Sequence, residues 1–411
     1  MNIMPPQARQ SPFAPVKSAP QSGFTLIELM ISVVISLLLV AALTALFVNL
    51  SRTNREMAKT NIQIENGRFA VQLLQSDLTH AGFWGNYVPQ YDDLSLSASV
   101  TPTGAPTAIP DPCLAFSAAN WTAAHRTNLI DIPVQSYDIP SPVPSPTVPA
   151  TTCSSIVVNP KANTDVLVAR HTETCVPGIG NCEADVAGRL YFQSSLCEIE
   201  LNAGLFYVLD TANFTLKRRG CTGPPATTTG VAAEKRRFIS NIYYIRDYAV
   251  TAGDGIPTLM RSQFDLSGPQ PAVPLINGIE GFRVEFGVDN ISETGIDVIS
   301  DPAPANRYTS AILWANPANQ NAATNRGDGV PDGDFIRCTT ASPCTFARLS
   351  NVVAVKLYVL ARTDKISPGY TDTKTYTLGS TTLGPFNDKY KRHVFSTTVR
   401  LTSISGRRET P

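Results

Sequence analysis

Charge is scarce in this sequence, and neither sign is in excess. Lys and Arg together number 33, Asp and Glu together number 33, and charged residues make up 16% of the 411 residues. A chain that binds nucleic acid mainly through its charge, or that carries an acidic disordered tail, shows a clear imbalance. The composition therefore argues against both classes, and net charge points to no partner.

The short motifs of common enzymes and metal centres are missing as well. The sequence has no G-x-S-x-G, no G-x-x-x-x-G-K-[ST], no H-E-x-x-H and no C-x-x-C, and its four histidines are scattered. Catalytic nucleophiles, phosphate loops, zinc sites and redox centres need such groupings. We therefore expect no enzyme and no resident cofactor.

Cysteine is absent from the first 112 residues, and eight cysteines follow. An even number confined to one side of an apolar segment suits disulfides in an oxidising compartment. Spacing does not determine connectivity, and local pairing is the working expectation. The pairs would be Cys175 with Cys182, Cys338 with Cys344, Cys197 with Cys221, and Cys113 with Cys153.

One long apolar run, Phe24 to Leu50, contains neither proline nor glycine. As a helix it is about 40 Å long, enough to cross a hydrocarbon core of about 30 Å. The preceding residues carry Arg9 and Lys17 and no acid. The positive-inside rule then leaves the N-terminus in the cytoplasm and sends the large C-terminal part across the membrane.

Glu28 is the only ionisable side chain in this run. A secretory signal peptide has a shorter apolar region, of about 7–15 residues. A plain signal anchor explains the length but not a carboxylate, which costs about 2.5–3.5 kcal/mol near a bilayer centre. Glu28 is therefore either a functional group or a polar residue tolerated near the membrane surface.

Residues 23–29 read GFTLIEL and resemble the signature of type IV prepilins and type II secretion pseudopilins. The resemblance implies that residues 1–23 are a leader, that a prepilin peptidase cuts between Gly23 and Phe24, and that the new terminal amine is methylated. Glu28 matches the family's assembly carboxylate. Among bundled apolar helices it would pair with the α-amino group of a neighbouring Phe24 and set axial register.

Residues 51–80 continue the helix as an amphipathic segment that we expect to lie on the globular domain. Glycines after Thr79 favour the end of the helix there. The stretch NGRFAVQLLQSDLTHAGFWG resembles PilW-type minor pilins. The matching positions, which we interpret as core and cap residues, are Arg68, Ala70, Leu73, Leu74, Asp77, Leu78, Ala81, Gly82 and Gly85.

Residues 89–160 are rich in Pro, Ser and Thr, which favours an extended surface excursion. Residues 161–411 contain runs that alternate apolar with polar residues, as half-buried antiparallel strands do. We predict an α+β, pilin-like fold, with the N-terminal helix packed on an antiparallel sheet. The predicted strands are 165–170, 189–193, 205–209, 214–218, 242–246, 258–261, 281–286, 352–360 and 395–401, and 279–289 and 353–358 are also similar to PilW sequences.

Two kinds of segment, an acidic loop and two basic clusters, are candidate ligand-binding sites. The loop 325–334 is rich in glycine, and its carboxylates Asp328, Asp332 and Asp334 are a candidate calcium site, with a solvated turn as the alternative. The clusters 217–219 and 235–237 are basic, but they lack the aromatic interleaving of a nucleic-acid platform. DNA binding therefore stays open, beside the simpler hypothesis of solvated strand ends.

The resemblance implies a minor pilin that waits in the inner membrane, with its C-terminal domain in the periplasm, and then joins an initiating complex at the pilus tip. Its partners would be prepilin peptidase, other minor pilins, the major pilin and a tip adhesin. A J-type pseudopilin of type II secretion and a membrane-anchored module that binds DNA or surfaces are the alternatives. The order of subunits and the ligand of the globular domain are not fixed by the sequence.

Overall fold

A computed structural model describes residues 23–94, 104–144, 151–320 and 322–409. All of the expected leader except Gly23 lies outside this part of the chain. The chain divides into two compact units, Met1–Met57 and Ala58–Pro411. Helix α1 contributes residues to both. The helices are α1 Leu26–His80, α2 Ala123–Asp131, α3 Glu198–Asn202, α4 Phe346–Leu349 and α5 Thr402–Arg408.

The second unit is built on two antiparallel sheets and a short hairpin. The larger sheet has the order β1-β2-β5-β3-β4, with β6 beside β5 and both β7 and β8 beside β6. The smaller sheet has the order β13-β10-β9, and β11 pairs with β12. The strands are β1 Val134–Ile139, β2 Thr164–Thr172, β3 Tyr191–Ser194, β4 Tyr207–Asp210, β5 Lys235–Arg246, β6 Thr258–Asp265, β7 Gly268–Pro269, β8 Val273–Asn277, β9 Ile279–Val288, β10 Val352–Arg362, β11 Tyr376–Leu378, β12 Thr381–Leu383 and β13 Arg392–Arg400.

The main core joins the second half of α1 to both sheets, so the predicted α+β class is confirmed. Ala70, Leu74 and Leu78 are fully buried with Leu167 of β2 and Val355 of β10. These helix residues lie four positions apart, which places them on one face. Burial of their apolar surface stabilises the packed helix by about 25 cal/mol per Å², so this face fixes the helix on the sheets.

The buried face of α1 differs from the one that hydrophobicity alone suggests. Ile62 and Phe69 are half exposed, at 49% and 52%, whereas Gln63 and Gly67 are buried. A Cβ atom at Gly67 would lie 2.1 Å from Cε2 of Phe395 on β13. The helix therefore approaches the smaller sheet through its small residues.

The buried polar residue on this face is satisfied by the sheet. The Gln63 amide donates hydrogen bonds to the carbonyl oxygens of Ala361, at 2.7 Å, and Lys391, at 3.1 Å. A buried amide without partners would cost free energy comparable to several lost contacts. Gln63 thus adds two hydrogen bonds to an otherwise apolar contact between α1 and the smaller sheet.

Residues 89–160 are not the extended excursion that their composition suggests. Within their described part they form α2 and the edge strand β1, and Trp121 is 2% exposed. Pro133 and Pro140 bracket β1 rather than interrupt it. Proline is tolerated at strand ends and on edge strands. Residues 145–150, which include the end of the Pro-rich run, lie outside the described residues.

Eight of the nine predicted strands correspond to observed strands, with shifted ends. The exception is 214–218, where only an isolated bridge between Lys217 and Ala232 forms. Helix α1 ends at His80, one residue beyond the predicted Thr79. Gly82 and Gly85 then adopt φ angles of +77° and +67°, which residues with a Cβ atom rarely adopt. The glycines therefore end the helix as predicted.

Candidate functional site

The head of α1 is closed by a reciprocal set of hydrogen bonds between Thr25 and Glu28. The Glu28 backbone N–H donates to the Thr25 hydroxyl at 3.3 Å. Glu28 Oε2 in turn accepts from the Thr25 backbone N–H at 3.0 Å and from its hydroxyl at 2.8 Å. This is a capping box, which satisfies two N–H groups that the helix itself leaves unpaired. The carboxylate is thus held against the first turn, on the fifth residue after the Gly23–Phe24 junction.

The junction lies in an open stretch of chain. Gly23, Phe24 and Thr25 precede the helix without regular structure, and no heavy atom other than those of its chain neighbours lies within 4 Å of a Cβ built on Gly23. Phe24 is 88% exposed. A protease that binds an extended peptide therefore meets no obstacle among the described residues around Gly23.

The first half of α1 has the properties of a membrane span. Every side chain from Phe24 to Leu50 is exposed. An 18-residue window of α1 has a mean hydropathy of 2.8, and within the described residues α1 is the helix long and apolar enough to cross a membrane. A fully apolar, unburied helix surface is stable in lipid rather than in water. This helix fits a membrane-anchored protein.

Four disulfides cross-link the second unit, in the arrangement that local pairing suggests. Their sequence separations range from 6 to 40 residues, and the structure contains no free cysteine. Closing such loops restricts the unfolded chain, and each disulfide typically stabilises the folded protein by about 2–4 kcal/mol. The bonds are Cys113–Cys153, Cys175–Cys182, Cys197–Cys221 and Cys338–Cys344.

Asp77, near the end of α1, has a role that the sequence did not reveal. Its carboxylate accepts hydrogen bonds from His171 Nε2 at 2.9 Å, from the Asn241 amide at 3.0 Å and from the Tyr243 hydroxyl at 3.1 Å. His171 lies on β2, and the other two lie on β5. One helical carboxylate therefore ties α1 to two strands of the larger sheet.

His171 is placed to carry a positive charge. Its Nε2 faces the Asp77 carboxylate, and its Nδ1 lies 2.9 Å from the Thr172 carbonyl oxygen. Both neighbours are acceptors, so both ring nitrogens donate when the ring is protonated. Burial lowers the pKa of His171, but the hydrogen bond and the charge of Asp77 outweigh it, and the pKa is raised above its usual value.

The three carboxylates of the acidic loop are not brought together. Asp328 accepts a hydrogen bond from the Val330 N–H, and Asp332 accepts bonds from the N–H groups of Asn290 and Ile291. Within the described residues, these carboxylates do not form a trio whose oxygens lie within 4.8 Å of one another. Asp334 is exposed. The arrangement is that of the solvated turn rather than of a calcium site.

Arg326, in the same loop, is buried as a structural residue. It donates to the carbonyl oxygens of Tyr91, at 2.5 Å, and Ser310, at 2.9 Å. The buried acid of this region is Asp289, which accepts bonds from the Gly329 N–H and from Arg408 of α5. The loop therefore helps to fix α5 in place.

The basic clusters are largely neutralised by nearby carboxylates. Arg218 and Arg236 both pair with Glu234, Lys235 pairs with Asp185, and Arg237 lies 3.4 Å from Glu173. An arginine whose charge is already neutralised by a carboxylate attracts a phosphate backbone less strongly. The geometry favours strand ends that are held by ion pairs over a surface for nucleic acid.

Comparisons with known proteins bear on both ends of the chain. Residues 242–403 match the family model described as Type IV Pilus-assembly protein W, and residues 18–44 match the prokaryotic N-terminal methylation motif. A solved structure of a type IV-like pilin from Thermus thermophilus is similar over 60% of this chain and 81% of its own, with 14% identity and a TM-score of 0.26. No curated protein matches the chain significantly.

Proposed function

We propose that this chain is a PilW-type pilin of the type IV class, and that cleavage between Gly23 and Phe24 turns its membrane-anchored precursor into a minor subunit of a type IV pilus. The observation that carries the proposal is the capping box that Thr25 and Glu28 form directly after Gly23. It places the carboxylate at the head of an apolar helix of pilin type. The role is structural rather than catalytic.

Cleavage supplies the partner that Glu28 lacks inside an apolar environment. It converts the Phe24 peptide nitrogen into an amine, which is charged near neutral pH. When apolar helices bundle in a filament, the amine of one subunit pairs with Glu28 of the next. A buried carboxylate without a partner would cost several kcal/mol, so only one axial offset between neighbours is stable.

Processing is tested by mass spectrometry of the protein purified from membranes. We expect methylated Phe24 as the first residue of the wild-type protein and an intact precursor for Gly23→Val. Ser22→Ala, one residue upstream, is the matched control and should be processed normally. An intact Met1 terminus in the wild type would refute cleavage.

Assembly is tested separately from processing. Glu28→Gln keeps the size of the side chain and removes its charge, so we expect normal cleavage and at least about tenfold less protein in sheared filaments, because an unpaired buried amine is costly. Asn54→Gln, on an exposed part of α1, serves as a control. Wild-type amounts of the Glu28→Gln protein in filaments would show that the charge pairing is dispensable.

The match of residues 242–403 supports the pilus over the secretion apparatus, and we propose that the chain joins the initiating complex at the pilus tip. Its partners there are other minor pilins, the major pilin and a tip adhesin, and prepilin peptidase acts on it beforehand. Deletion of the gene should abolish twitching motility and leave exoprotein release intact. Intact motility with lost secretion would instead identify a pseudopilin.

A further inference from the structure

The strand β13 forms one edge of the smaller sheet, and its outer edge has no partner among the described residues. The flanking hydrogen bonds show which residues face β10: the Thr363 N–H donates to the Lys391 carbonyl, and the Leu401 N–H donates to the Val353 carbonyl. Both bonds use odd-numbered residues at the two ends of β13. Because backbone groups alternate in direction along a strand, the even-numbered residues turn their N–H and C=O groups outwards.

The outward groups belong to the middle of a long and regular strand. Register with β10 continues without a break over nine residue pairs. Val394, Ser396 and Thr398 present their backbone groups on the free edge, and within the described residues no hydrogen bond joins those groups to another part of the chain. Ser396 and Thr398 are exposed. The edge therefore offers alternating donors and acceptors to solvent.

Two other edge strands of this molecule carry devices against strand addition that β13 lacks. β4 has only four residues, and β8 contains Pro274 and a register irregularity against β6. Short length, proline and bulges are the usual devices against strand addition. Between His393 and Val399, β13 has no proline, no lysine and no acid, and it consists of Val, Phe, Ser and Thr, which favours pairing.

We propose that the free edge of β13 is a strand-addition site that takes an extended, uncharged segment from a different protein of the pilus complex. The proposal rests on the proposed function. Only another strand offers donors and acceptors at the matching spacing. A β13–β13 contact between two copies would be isologous, and it would close a dimer instead of continuing a screw-symmetric filament. The partner strand must therefore come from another surface, on another chain.

The first test measures amide hydrogen exchange of the full-length protein, alone in detergent and within the isolated pilus complex. We expect the amides of Val394, Ser396 and Thr398 to exchange rapidly in the protein alone and about tenfold more slowly in the complex, as hydrogen-bonded amides do. The amides of Phe395 and Thr397, which face β10, should be protected in both states. Protection of the three outward amides in the protein alone, or no gain in the complex, overturns the proposal.

The second test removes the central outward N–H. Ser396→Pro deletes it without touching the bonds to β10, since proline is tolerated at the open side of an edge strand. Ser396→Val changes the side chain and keeps the N–H. We expect Ser396→Pro to be processed normally but to lose about tenfold in recovery with the complex, while Ser396→Val is recovered like the wild type. Equal recovery of both variants overturns the proposal.

A photo-crosslinker at Thr398 identifies what lies beside the strand and covers the case in which Ser396→Pro fails to fold. A product of this chain with a different pilus protein, lost when the complex is dissociated, supports strand addition. A product with the mass of two copies of this chain overturns it, as does the absence of any product. If Gly23→Val blocks processing but the exchange pattern never changes, strand addition fails while the proposed function stands.

Discussion

Replacement of Gly67 by alanine tests how closely α1 approaches β13. At an unhindered helix position this change stabilises a protein by about 1 kcal/mol, since glycine is the poorer helix former. Here the new methyl group would lie 2.1, 2.4 and 2.8 Å from Cε2, Cδ2 and Cζ of Phe395. Forcing a methyl group into a packed site costs about 1–3 kcal/mol. We therefore expect a net loss of about 1 kcal/mol in the free energy of unfolding.

The chain offers a matched control in α5. Gly406 is also helical, and no heavy atom other than those of its chain neighbours and of the local helix backbone lies within 4 Å of a Cβ built on it. Gly406→Ala should therefore stabilise the protein by up to about 1 kcal/mol. Both variants are measured by urea unfolding of the unit Ala58–Pro411, followed by tryptophan fluorescence.

A double-mutant cycle assigns the effect to Phe395. In a Phe395→Ala background the obstacle is gone, so Gly67→Ala should become stabilising, and the two changes should couple by about 2 kcal/mol. If Gly67→Ala stabilises the otherwise wild-type protein as much as Gly406→Ala does, the ring has moved aside at no cost. The close-approach argument would then be wrong.

Two further predictions concern the ties that hold the second unit together. The raised pKa of His171 means that its protonated form contributes stability that is complete below the unfolded pKa of about 6.5 and is lost as the pH rises through the folded pKa. The urea midpoint of the wild type should therefore fall between pH 6 and pH 8, and it should change less in His171→Gln. If the midpoint of that variant falls with pH as much as that of the wild type, the assignment is wrong. The second prediction concerns two disulfides, Cys113–Cys153 with a sequence separation of 40 and Cys338–Cys344 with a separation of 6. Replacing both cysteines of the first should lower the free energy of unfolding by about 4 kcal/mol, and of the second by about 2 kcal/mol, because a longer closed loop restricts the unfolded chain more. Equal losses on non-reducing urea unfolding would show that loop length does not govern these bonds.

The sequence sufficed where a short contiguous segment carries the physical constraint. The apolar run from Phe24 to Leu50 and the methylation motif of residues 18–44 can be recognised without a structure, because both depend on local sequence. Alternation of apolar and polar residues predicted eight strands for the same reason. Local pairing of cysteines also matched, since partners close in sequence need little chain to meet.

Composition failed where long-range pairing decided the outcome. The prolines of residues 89–160 suggested an extended excursion, yet β1 forms there because β2 lies beside it and the prolines fall at its ends. At the acidic loop the sequence left a calcium site and a solvated turn open, and in the fold Asp332 accepts hydrogen bonds from the backbone N–H groups of Asn290 and Ile291. Neither outcome is visible until the distant partner is in place.

The sequence by itself determined a match to the N-terminal methylation motif over residues 18–44 and a helix long and apolar enough to cross a membrane, because those properties are local. Only the tertiary structure decided that Gln63 and Gly67, rather than Ile62 and Phe69, face the sheets. Only the fold brings His171 to Asp77, 94 positions away in the chain, and only strand order leaves the edge of β13 open. Such features depend on residues that are far apart in the sequence and meet only in the folded chain, so no short stretch of sequence predicts them.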